Sequence, residues 1–143
     1  MATLEDAILL AVQAHRGQAD KTGAPYILHP LRLMLRLRSP AEMMAAVLHD
    51  VVEDTPWTLA ALQEAGYPPE VVEAVDRLTR REEESYEAFI ARVKQNPLAA
   101  RVKLADLEDN MDIRRLQELQ DRDVERLQRY RRAWAELTGE SVS

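Results

Sequence analysis

The chain contains no cysteine at all. This absence excludes disulfide bridges and thiolate metal sites, and it fits a reducing compartment. Long apolar runs are missing too, because no stretch approaches the roughly 18–20 residues of a membrane-spanning helix. The first residues lack the basic start of a signal peptide,. Together these absences predict a cytoplasmic protein with no membrane partner.

Positive charge is in deficit, with 19 lysines and arginines against 25 acidic residues and a net charge of −6. This balance argues against nucleic-acid binding, because the phosphate backbone attracts basic surfaces. It is compatible with a small anionic substrate, since a metal ion and a few basic residues can reverse the field inside one cleft. We therefore expect a nucleotide-sized partner, and the oligomeric state stays open.

Glycine is scarce, with four residues in 143, and 46% of the residues are hydrophobic. Apolar residues recur at spacings of three and four, and no segment alternates as a strand would. The sequence predicts an all-α protein, a single compact helical bundle formed by one domain over residues 1–143. The predicted helices cover residues 4–15, 30–37, 41–52, 58–64, 68–78, 86–95, 98–110 and 124–137, with a loop over 17–25 and a solvated connection over 80–84.

Candidate metal-binding residues occur in three apolar segments. His49 and Asp50 stand together within residues 45–52, a segment predicted to be helical. A buried carboxylate beside a histidine needs a partner because an unpaired buried charge is costly, and a divalent cation would satisfy both groups. His29 and Asp106 also lie among apolar neighbours. The dipeptide alone is a weak signal, and a polar helix end is the alternative interpretation.

Four stretches taken together are much more specific than the His-Asp pair. Residues 14–30 contain YxxHP, residues 46–55 contain HDxxEDT, residues 102–110 contain KLADxxxN, and residues 126–130 match more loosely. In this order they resemble the HD superfamily of metal-dependent phosphohydrolases. Within it, the chain is most similar to the hydrolase domain of RelA/SpoT-type enzymes and to the stand-alone small alarmone hydrolases.

The resemblance implies a single metal ion held by His29, His49, Asp50 and Asp106. Such an ion lowers the pKa of a bound water and polarises a phosphate. Mixed imidazole and carboxylate ligands suit a transition ion more than Ca²⁺. Mn²⁺ is the first expectation, and Fe²⁺, Zn²⁺ and Mg²⁺ are the alternatives.

The resemblance also implies catalytic and substrate-binding residues. Glu53 and Asp54 would orient the attacking water and accept its proton, the alternative being two acids on a solvated helix end. They follow His49 and Asp50 by four residues, which would place all four groups on one side of a helix. The implied substrate-binding residues are Arg16, Lys21, Lys103, Asn110 and Arg126. For the basic residues the alternative is a solvated charge, and for Asn110 it is a helix C-cap.

Two acidic residues depart from the family pattern. Between the KLAD aspartate and the asparagine, alarmone hydrolases usually carry a basic residue and then a histidine or tyrosine, and this chain has Leu107-Glu108-Asp109 there. Acidic groups near an anionic substrate are unfavourable unless they point away from it. This departure leaves the metal site intact and bears on the substrate.

Three functions remain in competition. The first is hydrolysis of guanosine 3′,5′-bis(diphosphate) at its 3′-diphosphate, without synthetase activity because 143 residues leave no room for a second domain. The second is hydrolysis of another nucleotide, and the third is a non-catalytic nucleotide-binding regulatory module. The Glu53–Asp54 pair argues against the third, whereas Arg16, Lys21 and Asn110 favour the first over the second.

Overall fold

The computed structural model describes residues 1–140, so the end of the predicted domain at residue 143 lies outside the described residues. Within this range the chain forms nine α-helices and one 3₁₀ turn, and its only β pairing is an isolated bridge between Ala19 and Pro25. The all-α prediction is confirmed. The helices are α1 (Leu4–Ala14), α2 (Leu28–Leu35), α3 (Pro40–Leu48), α4 (Val51–Asp54), α5 (Leu59–Glu64), α6 (Pro69–Leu78), α7 (Tyr86–Lys94), α8 (Pro97–Asn110) and α9 (Asp121–Thr138), with the 3₁₀ turn at Ile113–Arg115.

Local sequence sets most of the helix starts. A side-chain oxygen immediately before the helix accepts a hydrogen bond from the first turn in α1, α3, α5, α7 and α8. These oxygens satisfy backbone N–H groups that have no partner inside the helix. The capping residues are Thr3, Ser39, Thr58, Ser85 and Asn96. Among these helices of the described chain, none is both long enough and apolar enough to cross a membrane.

Helix α3 forms the centre of the bundle and packs against α1, α2, α6 and α8. Its residues 45–48 are completely buried, which is typical of a helix that is apolar on every side,. The carboxyl end of α3 therefore lies inside the protein, facing α2 and α8. This position brings the residues that follow it into the interior as well.

The predicted single helix over residues 41–52 is wrong, because α3 ends at Leu48 and α4 begins at Val51. The imidazole Nδ1 of His49 lies 2.6 Å from the carbonyl oxygen of Ala46. In a continuous helix that oxygen would accept the N–H of Asp50. The side chain of His49 competes for this acceptor, and the chain turns at the His49–Asp50 pair.

The predicted solvated connection over residues 80–84 is wrong at its end. Glu84 accepts two hydrogen bonds from Arg92, from Nε at 2.8 Å and from Nη2 at 2.9 Å. Arg92 also donates to the carbonyl oxygen of Thr79 at 2.9 Å. We call these contacts the α6–α7 tie, because they hold the connection between those two helices.

Candidate metal centre

Three of the four predicted ligands come together from three helices. His29 lies in the first turn of α2, His49 follows α3, and Asp106 lies in α8. Their ligand atoms all lie within 4.8 Å of one another. The Oδ1 atom of Asp106 is 2.8 Å from Nε2 of His29 and 3.8 Å from Nε2 of His49. All three residues are buried, and we call this cluster the metal centre.

Both imidazole rings turn Nε2 towards the centre. The Nδ1 atom of His49 donates to the Ala46 carbonyl, and the Nδ1 atom of His29 lies 2.7 Å from Oδ2 of Asp109. In a neutral ring Nε2 then carries a free lone pair. The Nε2 atom of His49 is buried and makes no hydrogen bond among the described residues, although Oδ2 of Asp50 lies 3.1 Å away. These donors fit a divalent cation, because metal-binding histidines use one nitrogen as ligand and the other as N–H donor.

The carboxylates of Asp106 and Asp109 stabilise positive charge in and around the metal centre. Burial alone would lower the pKa of His29, yet its hydrogen bonds to Asp106 and Asp109 raise that pKa to about 9. Burial would raise the pKa of Asp106, but Lys103 and His29 hold it well below its usual range. Asp106 is therefore ionised and able to act as a ligand.

Asp50 lies at the margin of the metal centre. Its Oδ2 atom is 3.1 Å from Nε2 of His49 and accepts a hydrogen bond from the Tyr26 hydroxyl. Burial opposes the charged form, but His49 holds the pKa of Asp50 at about 2. Asp50 is not part of the group of ligand atoms that lie within 4.8 Å of one another. Its place as the fourth ligand stays a prediction.

Two predicted substrate-binding residues contact the Asp106 carboxylate directly. The Nζ atom of Lys103 lies 2.7 Å from Oδ2, and the side-chain amide of Asn110 donates to Oδ1 at 3.0 Å. Spacings of three and four residues place these side chains on one face of α8. Their contact with substrate remains a prediction.

Glu53 and Asp54 lie on α4, immediately after the His49–Asp50 turn, and both are partly exposed to solvent. Partial burial and the charge of Asp50 raise the pKa of each carboxyl group above its usual value. A raised pKa makes a carboxylate a better proton acceptor. Neither residue lines the cavity beside the metal centre, and their catalytic role stays a prediction.

A cavity of about 400 Å³ opens directly onto the metal centre. His29, Asp50 and Asp106 form part of its lining, and acidic side chains and Tyr130 line it as well. Arg16, a predicted substrate-binding residue, is exposed and does not line this cavity. Four cations do line it, and we call them the basic wall: Lys21, Arg32, Arg115 and Arg126.

The family model described as HD domain matches residues 7–137 of this chain. The chain belongs to the HD domain family. The predicted family is therefore confirmed over nearly the whole chain.

Two relatives of this HD domain carry related names. Guanosine-3′,5′-bis(diphosphate) 3′-pyrophosphohydrolase of Haemophilus influenzae is 36% identical over 72% of this chain. The bifunctional (p)ppGpp synthase/hydrolase SpoT of Escherichia coli is 34% identical over 76% of this chain. Each match spans 17% of the length of the relative.

The fold of this HD domain also resembles a solved structure, a metazoan ortholog of SpoT that hydrolyzes ppGpp. The TM-score is 0.78 and the sequence identity is 23%, with 99% of this chain and 89% of the other covered. At this identity the likeness concerns the fold. It confirms the compact helical architecture of the HD domain.

Sequence reasoning missed several residues around the metal centre of this HD domain. Tyr26 donates to Asp50, Arg32 and Arg115 belong to the basic wall, and Asp109 contacts His29. A spacing signal was available for two of them, since Arg32 follows His29 by three residues and Asp109 follows Asp106 by three. On a helix that spacing places two side chains on the same face.

Proposed function

We propose that this HD domain is a metal-dependent phosphohydrolase that releases pyrophosphate from the 3′ position of guanosine 3′,5′-bis(diphosphate). One observation carries the proposal: two buried imidazoles and the Asp106 carboxylate converge beside a cavity with a basic wall. The names of the relatives from Haemophilus influenzae and Escherichia coli support the choice of substrate.

His29, His49 and Asp106 would hold the metal ion, with Asp50 as the fourth ligand. Mn²⁺ is the proposed ion, since imidazole and carboxylate ligands together suit a transition metal. When bound, such an ion supplies an acidified water and a Lewis acid for the phosphate. The residues of the chain bind and orient the substrate and move the proton.

Glu53 and Asp54 would accept the proton of the attacking water. Their pKa values are raised by partial burial and by Asp50, which brings each carboxylate closer to the basicity that the step requires,. A binding module without chemistry has no use for such a pair. This argument disfavours the non-catalytic regulatory function.

The basic wall would hold the phosphate groups. Lys21, Arg115 and Arg126 line the cavity and can donate to phosphate oxygens,. The two acids that depart from the family pattern do not oppose this. Glu108 is exposed and does not line the cavity, and Asp109 is paired with His29 and Arg32.

The second candidate is hydrolysis of a different nucleotide. Acidic residues stand among the cations that line the cavity, namely Asp20, Asp112 and Asp123. Asp112 lies 3.7 Å from Arg115, and Asp123 lies 3.7 Å from Arg126. These pairs reduce the net positive charge of the cavity, which favours a substrate with fewer phosphates than guanosine 3′,5′-bis(diphosphate).

A nucleotide panel with purified protein and Mn²⁺ decides between the two candidates, provided that pyrophosphate and phosphate are followed separately. Pyrophosphate release from the 3′ position, with the 5′-diphosphate left intact, is the expected result. Phosphate release from nucleoside monophosphates, with no action on guanosine 3′,5′-bis(diphosphate), would establish the second candidate. A cytoplasmic location and a role in the stringent response belong to the first candidate and depend on the same result.

A further inference from the structure

Asp109 is a completely buried charged residue whose carboxylate is bound on all sides. It is 0% exposed. Its Oδ2 atom lies 2.7 Å from Nδ1 of His29, and Arg32 donates to Oδ1 at 2.8 Å and to Oδ2 at 3.0 Å. Arg115 donates to the backbone carbonyl of Asp109 at 2.8 Å. A buried charge with this many partners is held in one orientation.

The contact between Asp109 and His29 determines which nitrogen of the ring faces the metal centre. An ionised carboxylate can only accept hydrogen bonds, so Nδ1 of His29 carries a proton that points at Asp109. Nε2 faces Oδ1 of Asp106 at 2.8 Å, and it is the nitrogen left to bind a metal ion once its own proton is displaced. Rotation of the ring would break the bond to Asp109.

The two histidines of the metal centre are oriented by different kinds of partner. His49 donates to the carbonyl of Ala46, three residues earlier on the same helix. His29 depends on Asp109, which is 80 residues away in the sequence and belongs to α8. The orientation of His29 therefore exists only when α2 and α8 are packed together.

The two arginines explain how a carboxylate is tolerated at this position. A buried ion pair requires good geometry and further hydrogen bonds to offset the loss of hydration. The guanidinium group of Arg32 provides a bidentate pair, and Arg115 lies 3.5 Å from Oδ2 of Asp109. With these partners Asp109 places no unpaired negative charge beside the cavity.

We propose that Asp109 is a positioning residue of the metal centre, which fixes the tautomer and the orientation of His29 so that Nε2 binds the metal ion. Arg32 and Arg115 hold Asp109 in place for this task. The inference rests on the proposed metal-dependent function.

The variant Asp109→Asn tests the proposal, with Glu108→Gln as its matched control. Asparagine keeps the size, but its amide offers one oxygen where His29 and Arg32 use two. We expect the dissociation constant for Mn²⁺, measured by calorimetry, to rise about 10–100-fold, the usual effect of losing such a partner. Glu108 is exposed on the same helix, and its variant should bind Mn²⁺ within about twofold of the wild type.

The outcomes of this experiment are distinguishable. A wild-type protein that binds no Mn²⁺ overturns the proposed function. If the wild type and the Asp109→Asn variant bind Mn²⁺ with equal affinity, the inference is overturned and the proposed function stands. Thermal melts of the metal-free proteins identify a variant that has lost its fold.

A second measurement needs no variant at Asp109. The chain has three histidines, so the ¹⁵N spectrum of the side chains is simple to assign in the Zn²⁺-loaded wild type. The expected spectrum shows His29 protonated at Nδ1 and bound to Zn²⁺ through Nε2. A His29 ring protonated at Nε2, or one that exchanges between tautomers, overturns the proposal.

Discussion

The metal centre and the α6–α7 tie are both built from buried or half-buried charges, but they are assembled in opposite ways. In the metal centre, His29 contacts Asp106 and Asp109 across 77 and 80 residues of sequence. In the α6–α7 tie, Arg92 and Glu84 are eight residues apart. The first cluster forms only after the bundle closes, whereas the second is completed by one local connection. We therefore expect metal binding and global stability to respond to different substitutions.

The largest expected effect is that of Asp106→Asn. A neutral amide is a poor ligand, so the affinity for Mn²⁺ should fall by more than about 100-fold, beyond the usual loss for an outer-shell partner. Hydrolysis should become undetectable. Calorimetry and a pyrophosphate assay measure the two losses, and circular dichroism checks the fold. Normal Mn²⁺ binding by this variant would remove Asp106 from the ligand set.

The next largest effect is that of Glu53→Gln, which should lower the rate of hydrolysis without lowering the metal content. Glu53→Gln keeps the size of the side chain and removes the charge that accepts a proton. The rate should fall about 10²–10⁴-fold, the usual contribution of general base assistance. Metal content should remain near the wild-type value, as elemental analysis can show. Hydrolysis at the wild-type rate would mean that the Glu53–Asp54 pair is only a solvated helix end.

Arg92→Met removes the α6–α7 tie and leaves the metal centre unchanged. It leaves the Glu84 carboxylate and the Thr79 carbonyl without their donor, which should lower the free energy of unfolding by about 1–3 kcal/mol. Urea denaturation measures this change. Affinity for Mn²⁺ should stay within about twofold of the wild type, because the tie does not touch the metal centre. A large loss of Mn²⁺ affinity would show that the two regions are coupled.

The same tie predicts a pH dependence of stability. Hydrogen bonds from Arg92 lower the pKa of Glu84 from 4.5 to about 2 in the folded protein. Its contribution to stability is therefore fully present above about pH 4.5 and is lost as the pH falls towards 2. Urea denaturation at several pH values should show this loss. The Arg92→Met variant should be less sensitive to pH over that window, and an identical pH dependence would contradict the assignment.

The smallest effect is expected for Lys94→Gln, a matched control on α7. Lys94 pairs with Glu136 at 3.2 Å, but both side chains are about half exposed. Exposed pairs are typically worth about 0–1 kcal/mol. Urea denaturation should place this variant close to the wild type and well above Arg92→Met. Equal destabilisation by both substitutions would refute the distinction between exposed and half-buried pairs.

The helices were largely predictable because their signals are local. Apolar spacing predicts α7, and in the structure Ser85 caps its start as Asn96 caps the start of α8. Gly139, with a φ of 74°, ends α9. The break between α3 and α4 was not predictable in this way. It depends on the Nδ1 atom of His49 reaching the carbonyl of Ala46, which apolar periodicity does not reveal.

The sequence by itself determined the family and the helical content, and it identified His29, His49 and Asp106 as metal-binding candidates. Each motif and each periodic pattern depends on residues that are close together in the sequence. The tertiary structure decided that Asp109 faces His29 and that Arg16 lies away from the cavity. It also placed Glu108 on the exposed side of α8. The physical reason is that the role of a charged side chain depends on the partners it contacts after folding. Those of Asp109 come from segments far apart in the chain.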